Sequence, residues 1–415
     1  MKCLLSVLLF MATVPLLGDT TITAIWPEAT PVPTNPLGAG YMLNWFETSI
    51  TDALNDASVG QQLGTALHQL NATGLRFPGG AFAYFYPTRE AGLKAFKTAG
   101  LAEESYNLWE PDTWGWASEQ AFFEFCGRNN ITAWYEINPA YVYDVERDAI
   151  GQLAELPRRQ AKRKTLLEPE RYLPLALKQA GERARLAAAC GAKPVWEIGN
   201  EDYVYFEPEG YAHIAAAFIK ALRQQDPAAR VAVCGDSESW STREWQTRMI
   251  VALKAAGVTR VDYSSVHLYL AGVGEWGEDG VWRRLPMATV EDVHASTIRA
   301  YQLIRAMYAD YRTILTDAGY AGTRLALTET NPFPPNSLPE NMRAYEHCLG
   351  RTLAEATNYP FMIQDFAAVF FHDLCRSGPG TGDYFRRIRY DPAAKRRYSL
   401  PLEAQIMGRV SRHAA

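Results

Sequence analysis

The feature that most constrains this chain is an alternation, repeated along nearly its whole length, of short apolar runs with longer segments whose apolar residues fall at spacings of three and four. Short runs rich in β-branched and aromatic residues, bounded by turn residues, read as buried strands; the three-and-four spacing reads as a helix with one core-facing side. Strands are predicted at Gly38–Asn44, Leu75–Pro78, Thr132–Asn138, Val195–Asn200, Arg230–Gly235, Tyr263–Tyr269, Leu325–Glu329 and Ala367–Phe371. Between them lie predicted helices at Gly60–Leu70, Ser118–Asn129, Arg171–Cys190, Pro208–Gln225, Glu244–Ala256, Val290–Ala318 and Met342–Thr357. Repeated strand-then-helix units imply parallel strands joined by crossovers. Eight such units favour a closed (β/α)8 TIM barrel, an α/β fold, over an open doubly wound sheet. The Gly-rich phosphate fingerprint of the open sheet is also missing, since Gly38-Ala-Gly40 alone is too little.

Domain boundaries follow from the same pattern. Residues 37–415 are assigned to the barrel, and 415 residues accommodate it with long loops. The segment from Tyr398 to Val410, opened by Pro401, is expected to form an eighth outer helix, and no C-terminal β-sandwich is expected. Residues 1–18 place a lysine before the short apolar run Cys3 to Ala12, the pattern of a signal peptide rather than a membrane span. Residues 19–36 read as a linker or short strand. A secreted or periplasmic location is therefore expected, with no membrane span. The cysteines beyond the leader (Cys126, Cys190, Cys234, Cys348 and Cys375) form no C-x-x-C pair and locate no disulfide.

The formal net charge of −5 is mild, and no basic stripe interleaved with aromatics runs along any segment, so nucleic acid is excluded as an expected partner. Aromatic residues instead gather in one long loop, 81–117, with Phe82, Tyr84, Phe85, Tyr86, Tyr106, Trp109, Trp114 and Trp116. Long loops in compact domains are usually functional. Flat rings suit the C–H faces of sugars, and Trp109, Trp114 and Trp116 are candidates to bind a carbohydrate; the other reading of the loop is an apolar lid packed over the barrel mouth. The charged insertion from Asp144 to Glu170, with its basic run at 158–164, reads as a solvated helix face.

Two of the predicted strands end on an acid. Pro194-Val-Trp-Glu-Ile-Gly-Asn-Glu201 and Leu325-Ala-Leu-Thr-Glu329 each run apolar into a carboxylate where a barrel strand gives way to a loop on the catalytic face. Two carboxylates about 5–5.5 Å apart perform retaining glycoside hydrolysis, one attacking the anomeric carbon and the other serving as acid and then base. Other strand ends supply support. Arg76 is suited to hold Glu329 ionised by charge-assisted hydrogen bonds, and Tyr269 to hydrogen-bond it. Asn200 offers an amide to a sugar hydroxyl, and His267 shares a strand face with Tyr269. Glu197, two turns of pleat below Glu201, is expected to pair with Arg76. Glu136 is a competing inward acid, while Asn138 and His372 are candidates for substrate contact or for plain strand-end roles. No His and Asp cluster has metal-ligand spacing and no Gly-x-Ser-x-Gly elbow is present, so neither a metal, nor another cofactor, nor a serine nucleophile is expected.

These residues carry a resemblance. Asn200-Glu201 ending the fourth strand and Glu329 ending the seventh resemble the acid/base and nucleophile pair of clan A retaining glycoside hydrolases. Arg76-Phe-Pro-Gly-Gly80, Gly199-Asn-Glu201 and His267-x-Tyr269 are most similar to family 51 arabinofuranosidases, with families 39 and 79 close behind. The resemblance implies a secreted retaining glycosidase acting on a plant or algal poly- or oligosaccharide. Two departures are visible: those families usually carry a β-sandwich beside the barrel, and family 51 tends to place a tryptophan after the nucleophile where Thr330 stands here. The alternative is a noncatalytic carbohydrate-binding barrel in which the acids only hydrogen-bond hydroxyls.

Overall fold

The computed structural model describes residues 37–87, 89–100, 115–156, 165–237, 243–269, 289–331 and 365–371, with shorter pieces between 274 and 286 and between 362 and 408. Eight parallel strands close into a barrel: β1 Leu37–Met42, β2 Gly74–Phe77, β3 Thr132–Ile137, β4 Val195–Ile198, β5 Arg230–Ser237, β6 Tyr263–Tyr269, β7 Arg324–Asn331 and β8 Ala368–Phe371. Each pairs with its neighbours in sequence, and β8 returns to β1 through pairs such as Gly40 with Phe370, so no edge is left. All eight predicted strands are present, with ends that move by at most two residues.

The helices form where side chains can close their ends. Ser118 accepts from the Ala121 N–H to start the helix Glu119–Asn129, and Asn130 ends it in the left-handed region. Pro208 opens Pro208–Gln225, whose buried face carries Tyr211, Ile214, Ala215, Phe218, Ile219 and Leu222. Thr289 and Asp292 form a capping box for Val290–Asp317. The single helix expected at Gly60–Leu70 is in fact two, Thr48–Asn55 and Ala57–Gln69. Asp56 is extended between them and its carboxylate accepts from Ser58 and Val59, a cap that the apolar spacing alone did not reveal. Between β3 and the helix Pro169–Ala189 the chain forms a small sheet of Tyr141–Asp144, Ala149–Gln152 and Leu166–Leu167, where the sequence suggested only a solvated insertion. The basic run 158–164, the helix at 342–357, most of the segment 398–410, and residues 1–36 lie outside the described residues. Among the described residues no β-sandwich accompanies the barrel, and no helix is long and apolar enough to cross a membrane.

Two apolar clusters hold the fold. The larger lies between strands and helices; the smaller fills the barrel interior with Trp134, Val195, Ala232, Tyr263, Ala326, Ala367, Ala368 and Phe370. This interior plug needs a bare backbone opposite it, because a Cβ on Gly40 would meet the Phe370 ring at 2.4 Å. Polar residues of the same strands are thereby displaced toward the C-terminal mouth.

Candidate active site

Arg76 is the centre of the polar layer. Its strand neighbours Leu75 and Phe77 belong to the outer core, so the period of two turns Arg76 into the lumen. Register places Arg76 beside Trp134, and Glu136 beside Glu197 on the next pair. Arg76 Nε donates to Glu197 Oε2 at 2.7 Å and Nη2 to Glu197 Oε1 at 3.2 Å. Nη1 donates to Glu329 Oε1 at 2.9 Å, and Nη2 to Asn200 Oδ1 at 2.8 Å. Trp134 Nε1 adds a donor to Glu197 at 2.6 Å. Glu136 Oε2 accepts from the N–H groups of Gly79 and Gly80, at 2.7 and 3.0 Å. Both glycines have positive φ, and a Cβ on Gly80 would stand 2.8 Å from Glu329 Oε1, so this turn requires glycine for conformation and for room.

One guanidinium thus faces three carboxylates in a dry layer. Burial opposes the charge on Arg76, yet Glu136, Glu197 and Glu329 together raise its pKa well above the usual value. Glu136 absorbs the excess negative charge: burial, and then Glu197 and Glu329, push it up to about 8 against the pull of Arg76. Its Oε1 lies 2.8 Å from Arg76 Nη2 but makes no hydrogen bond with it. The native state therefore holds a proton that the unfolded chain releases above the ordinary 4.5, and stability falls as pH rises from there through about 8. Glu136→Gln is expected to flatten that slope, read as the thermal midpoint of both proteins between about pH 5 and 8; equal slopes would show that Glu136 is ionised throughout.

Glu329 reaches the lumen by a bulge. On β7 Ala326 faces the interior plug while Leu325 and Leu327 face the helices, so strict alternation would send residue 329 outward. Register against β6 runs from Leu327 with Val266 directly to Glu329 with His267, leaving Thr328 as the extra residue. Above the bulge Glu329 points inward, where Tyr269 donates to its Oε2 at 2.8 Å and Arg76 to its Oε1.

Glu201 follows the end of β4 through Gly199, at φ +82°, and itself takes a left-handed conformation at φ +52°. Tyr203 donates to its Oε1 at 2.9 Å, and His267 Nδ1 lies 3.0 Å from the same oxygen. No described residue hydrogen-bonds Oε2, and 36% of the side chain is exposed, against 8% for Glu329. His267 Nδ1 also stands 3.6 Å from Glu329 Oε2. One ring nitrogen therefore stands beside both acids, hydrogen-bonded to Glu201 and, at 3.6 Å, only near Glu329. Burial disfavours the imidazolium, but Glu329 and Glu201 outweigh it and raise the His267 pKa.

The structure thus brings Arg76, Glu197, Asn200, Glu201, His267, Tyr269 and Glu329 together. Asn200 is buried and its side-chain oxygen accepts from Arg76, which fixes the amide plane. Asn138 is committed to the fold as well, donating to Tyr84 O at 2.7 Å and accepting from the N–H groups of Ala140 and Tyr141. Trp116 packs on the outer core and donates to Pro87 O at 3.0 Å, and Phe82, Tyr84, Phe85 and Tyr86 are buried, so this part of the aromatic loop is an apolar cover. Trp109, Trp114 and His372 lie outside the described residues. Sequence reasoning passed over Tyr203, Trp134 and Asp202, and marked Tyr84 only as one ring of the aromatic loop. The signal for Tyr203 was its place two residues beyond Glu201, and for Trp134 its lumen parity with Glu136.

No family model matches the chain, and neither does any curated protein. Solved structures do match. The family 51 α-L-arabinofuranosidase of Bifidobacterium longum superposes with a TM-score of 0.60 at 14% identity, over 94% of this chain and 76% of its own. An α-L-arabinofuranosidase of Thermotoga maritima gives 0.56 at 15% identity, over 92% and 71%. A glucosidase of Croceicoccus marinus gives 0.53 at 13%, over 93% and 69%. The chain has the barrel fold of these glycoside hydrolases.

Proposed function

We propose that this chain is a retaining glycoside hydrolase, with Glu329 as nucleophile and Glu201 as acid and then base. The observation that carries the reading is that His267 Nδ1 stands 3.0 Å from a Glu201 oxygen and 3.6 Å from a Glu329 oxygen, which brings the two acids together at one point of the barrel mouth, as a retaining pair requires. Their surroundings differ as the two roles require. Glu329 is sheltered and receives donors on both oxygens, which favours a carboxylate ready to attack. Glu201 is more open and keeps one oxygen without a described partner, suited to carry the proton for the leaving group.

In the first step a Glu329 oxygen bonds to the anomeric carbon as the glycosidic C–O bond breaks, and the departing oxygen takes the proton of Glu201. In the second, Glu201 removes a proton from water, whose oxygen attacks the same carbon and releases Glu329. The arabinofuranosidases among the structural matches, and the motif resemblance, support a plant or algal poly- or oligosaccharide as substrate. The pattern of residues 1–18 supports export.

Proton NMR of the first-formed sugar, after a screen of aryl glycosides and polysaccharides, tests the mechanism. The anomer released is expected to have the configuration of the substrate, and the inverted anomer would overturn the reading. Glycan binding with no turnover on any of them would favour the noncatalytic barrel instead.

A further inference from the structure

We propose that Asp202 is a positioning residue for Glu201: a neutral carboxylic acid that donates its proton to the Tyr84 hydroxyl, which donates its own to the Asn200 carbonyl, so that the turn presenting Glu201 is locked from beneath. The inference rests on reading Glu201 as the acid/base.

The protons available at the Tyr84 hydroxyl decide the charge of Asp202. The Tyr84 hydroxyl lies 2.9 Å from Asn200 O, 3.2 Å from Asn200 N and within hydrogen-bond distance of Asp202 Oδ1. The Asn200 N–H supplies one proton to the phenol oxygen. The phenol has only one of its own, and it faces two acceptors if Asp202 is ionised. One of those contacts would then join oxygen to oxygen with no hydrogen between them, in a place sealed from water: Asp202 has no exposed surface and Tyr84 only 3%. A proton on Asp202 resolves the conflict, because each contact then has one donor and one acceptor. The other oxygen, Oδ2, is buried with no hydrogen-bond partner among the described residues. That is a heavy cost for a carboxylate, and a far smaller one for the carbonyl oxygen of an acid.

The charges nearby act in the same direction. Among the described residues no cation pairs with Asp202. The titratable groups that face it are Tyr84 from the turn after β2, Glu197 from β4, Glu201 beside it, Cys234 from β5 and Tyr211 from the helix that follows β4. Burial first, and then the carboxylates of Glu197 and Glu201, push Asp202 well above the usual carboxylate range, although the Tyr84 hydroxyl beside it pulls the other way. Burial and the neighbouring Asp202 hold the Tyr84 phenol protonated as well.

The backbone shows what the acid secures. Glu201 at φ +52° is a side-chain-bearing residue in a region that only an over-determined turn maintains. Asp202 over-determines it from three sides: its carboxyl meets Tyr84, its N–H donates to Cys234 Sγ at 3.2 Å, and Oδ2 fills the space beside Gly199, where a Cβ would come within 1.6 Å of it. Glycine at 199 thus makes room for the acid. Without this support Glu201 would leave the hydrogen bonds from Tyr203 and His267 that aim it.

Two readouts on the full-length protein test this. Infrared difference spectra of the free enzyme, wild type minus Asp202→Asn at pH 7, are expected to show the C=O stretch of a protonated carboxyl; a carboxylate band in its place would overturn the neutral acid. The second readout compares kcat/KM on p-nitrophenyl and phenyl glycosides of the sugar hydrolysed, since a poor leaving group depends more on acid assistance. Asp202→Ala is expected to raise the nitrophenyl-to-phenyl ratio about tenfold or more, with Asp202→Asn, whose amide also donates to Tyr84, returning it toward wild type. Tyr84→Phe carries the same measurement should the alanine variant not fold. An unchanged ratio in these variants, alongside a raised ratio in Glu201→Ala, would sink the role of Asp202 alone. An unchanged ratio in Glu201→Ala itself would sink the assignment of Glu201.

Discussion

Replacing Glu329 with Ala is expected to lower turnover by about 10⁴-fold or more, since the covalent intermediate can no longer form. The fold is expected to survive, because Glu197 and Asn200 still accept from Arg76, while Glu136 keeps its donors from Gly79 and Gly80 and Glu197 its donor from Trp134. Circular dichroism and a thermal melt establish that point, and the activity assay is then unambiguous. A small anion such as azide, able to enter the space left by the carboxylate, is expected to restore part of the turnover on an activated aryl glycoside and to give the glycosyl azide of inverted configuration. A variant that folds and turns over at the wild-type rate would remove Glu329 from the chemistry altogether.

The second large effect is on stability. Arg76→Met takes the one cation out of a group containing Glu136, Glu197 and Glu329 and leaves these acids buried without it. Breaking a buried ion pair by removing one partner costs about 3–5 kcal/mol, a large share of what a domain has to spare. The variant is therefore expected to be largely unfolded or insoluble near neutral pH. It is expected to recover as the pH falls and the acids take up protons, the reverse of a carboxylate stabilised by its partner. Urea unfolding at two pH values checks both the size and the sign. Arg76→Lys is expected to rescue little, because an ammonium cannot reach Glu197, Asn200 and Glu329 with a planar fork as Nε, Nη1 and Nη2 do.

Much of this was legible from local pattern. The strands are short, apolar and regularly separated; strand-end position singled out Arg76, and parity paired Glu197 with Glu201 and His267 with Tyr269. Contacts that cross between distant segments were not. Tyr84 lies 116 residues from Asn200, whose backbone it holds, and nothing in its own aromatic neighbourhood marks it off from Phe82 or Phe85. Asp202 carries no mark in the sequence, because burial, not residue type, makes it unusual. For Asn138 residue type left substrate contact and a plain strand-end role equally open, and its partners are those of a turn. The small sheet at 141–167 was missed because its outermost strand is two residues long and exposed, with no apolar alternation to announce it.

Thr328 carries a consequence of its own. Below it, β7 counts in phase with the interior plug; above it, in phase with the acids, so one strand keeps two separate reading frames. Packing and chemistry are thereby free to vary independently: a change at Ala326 alters how the plug is filled without re-aiming Glu329. A chain with the same letters but a straight strand at that point, Thr328 taking its place in the ladder, would conserve every letter of the motif and turn its acid out among the helices.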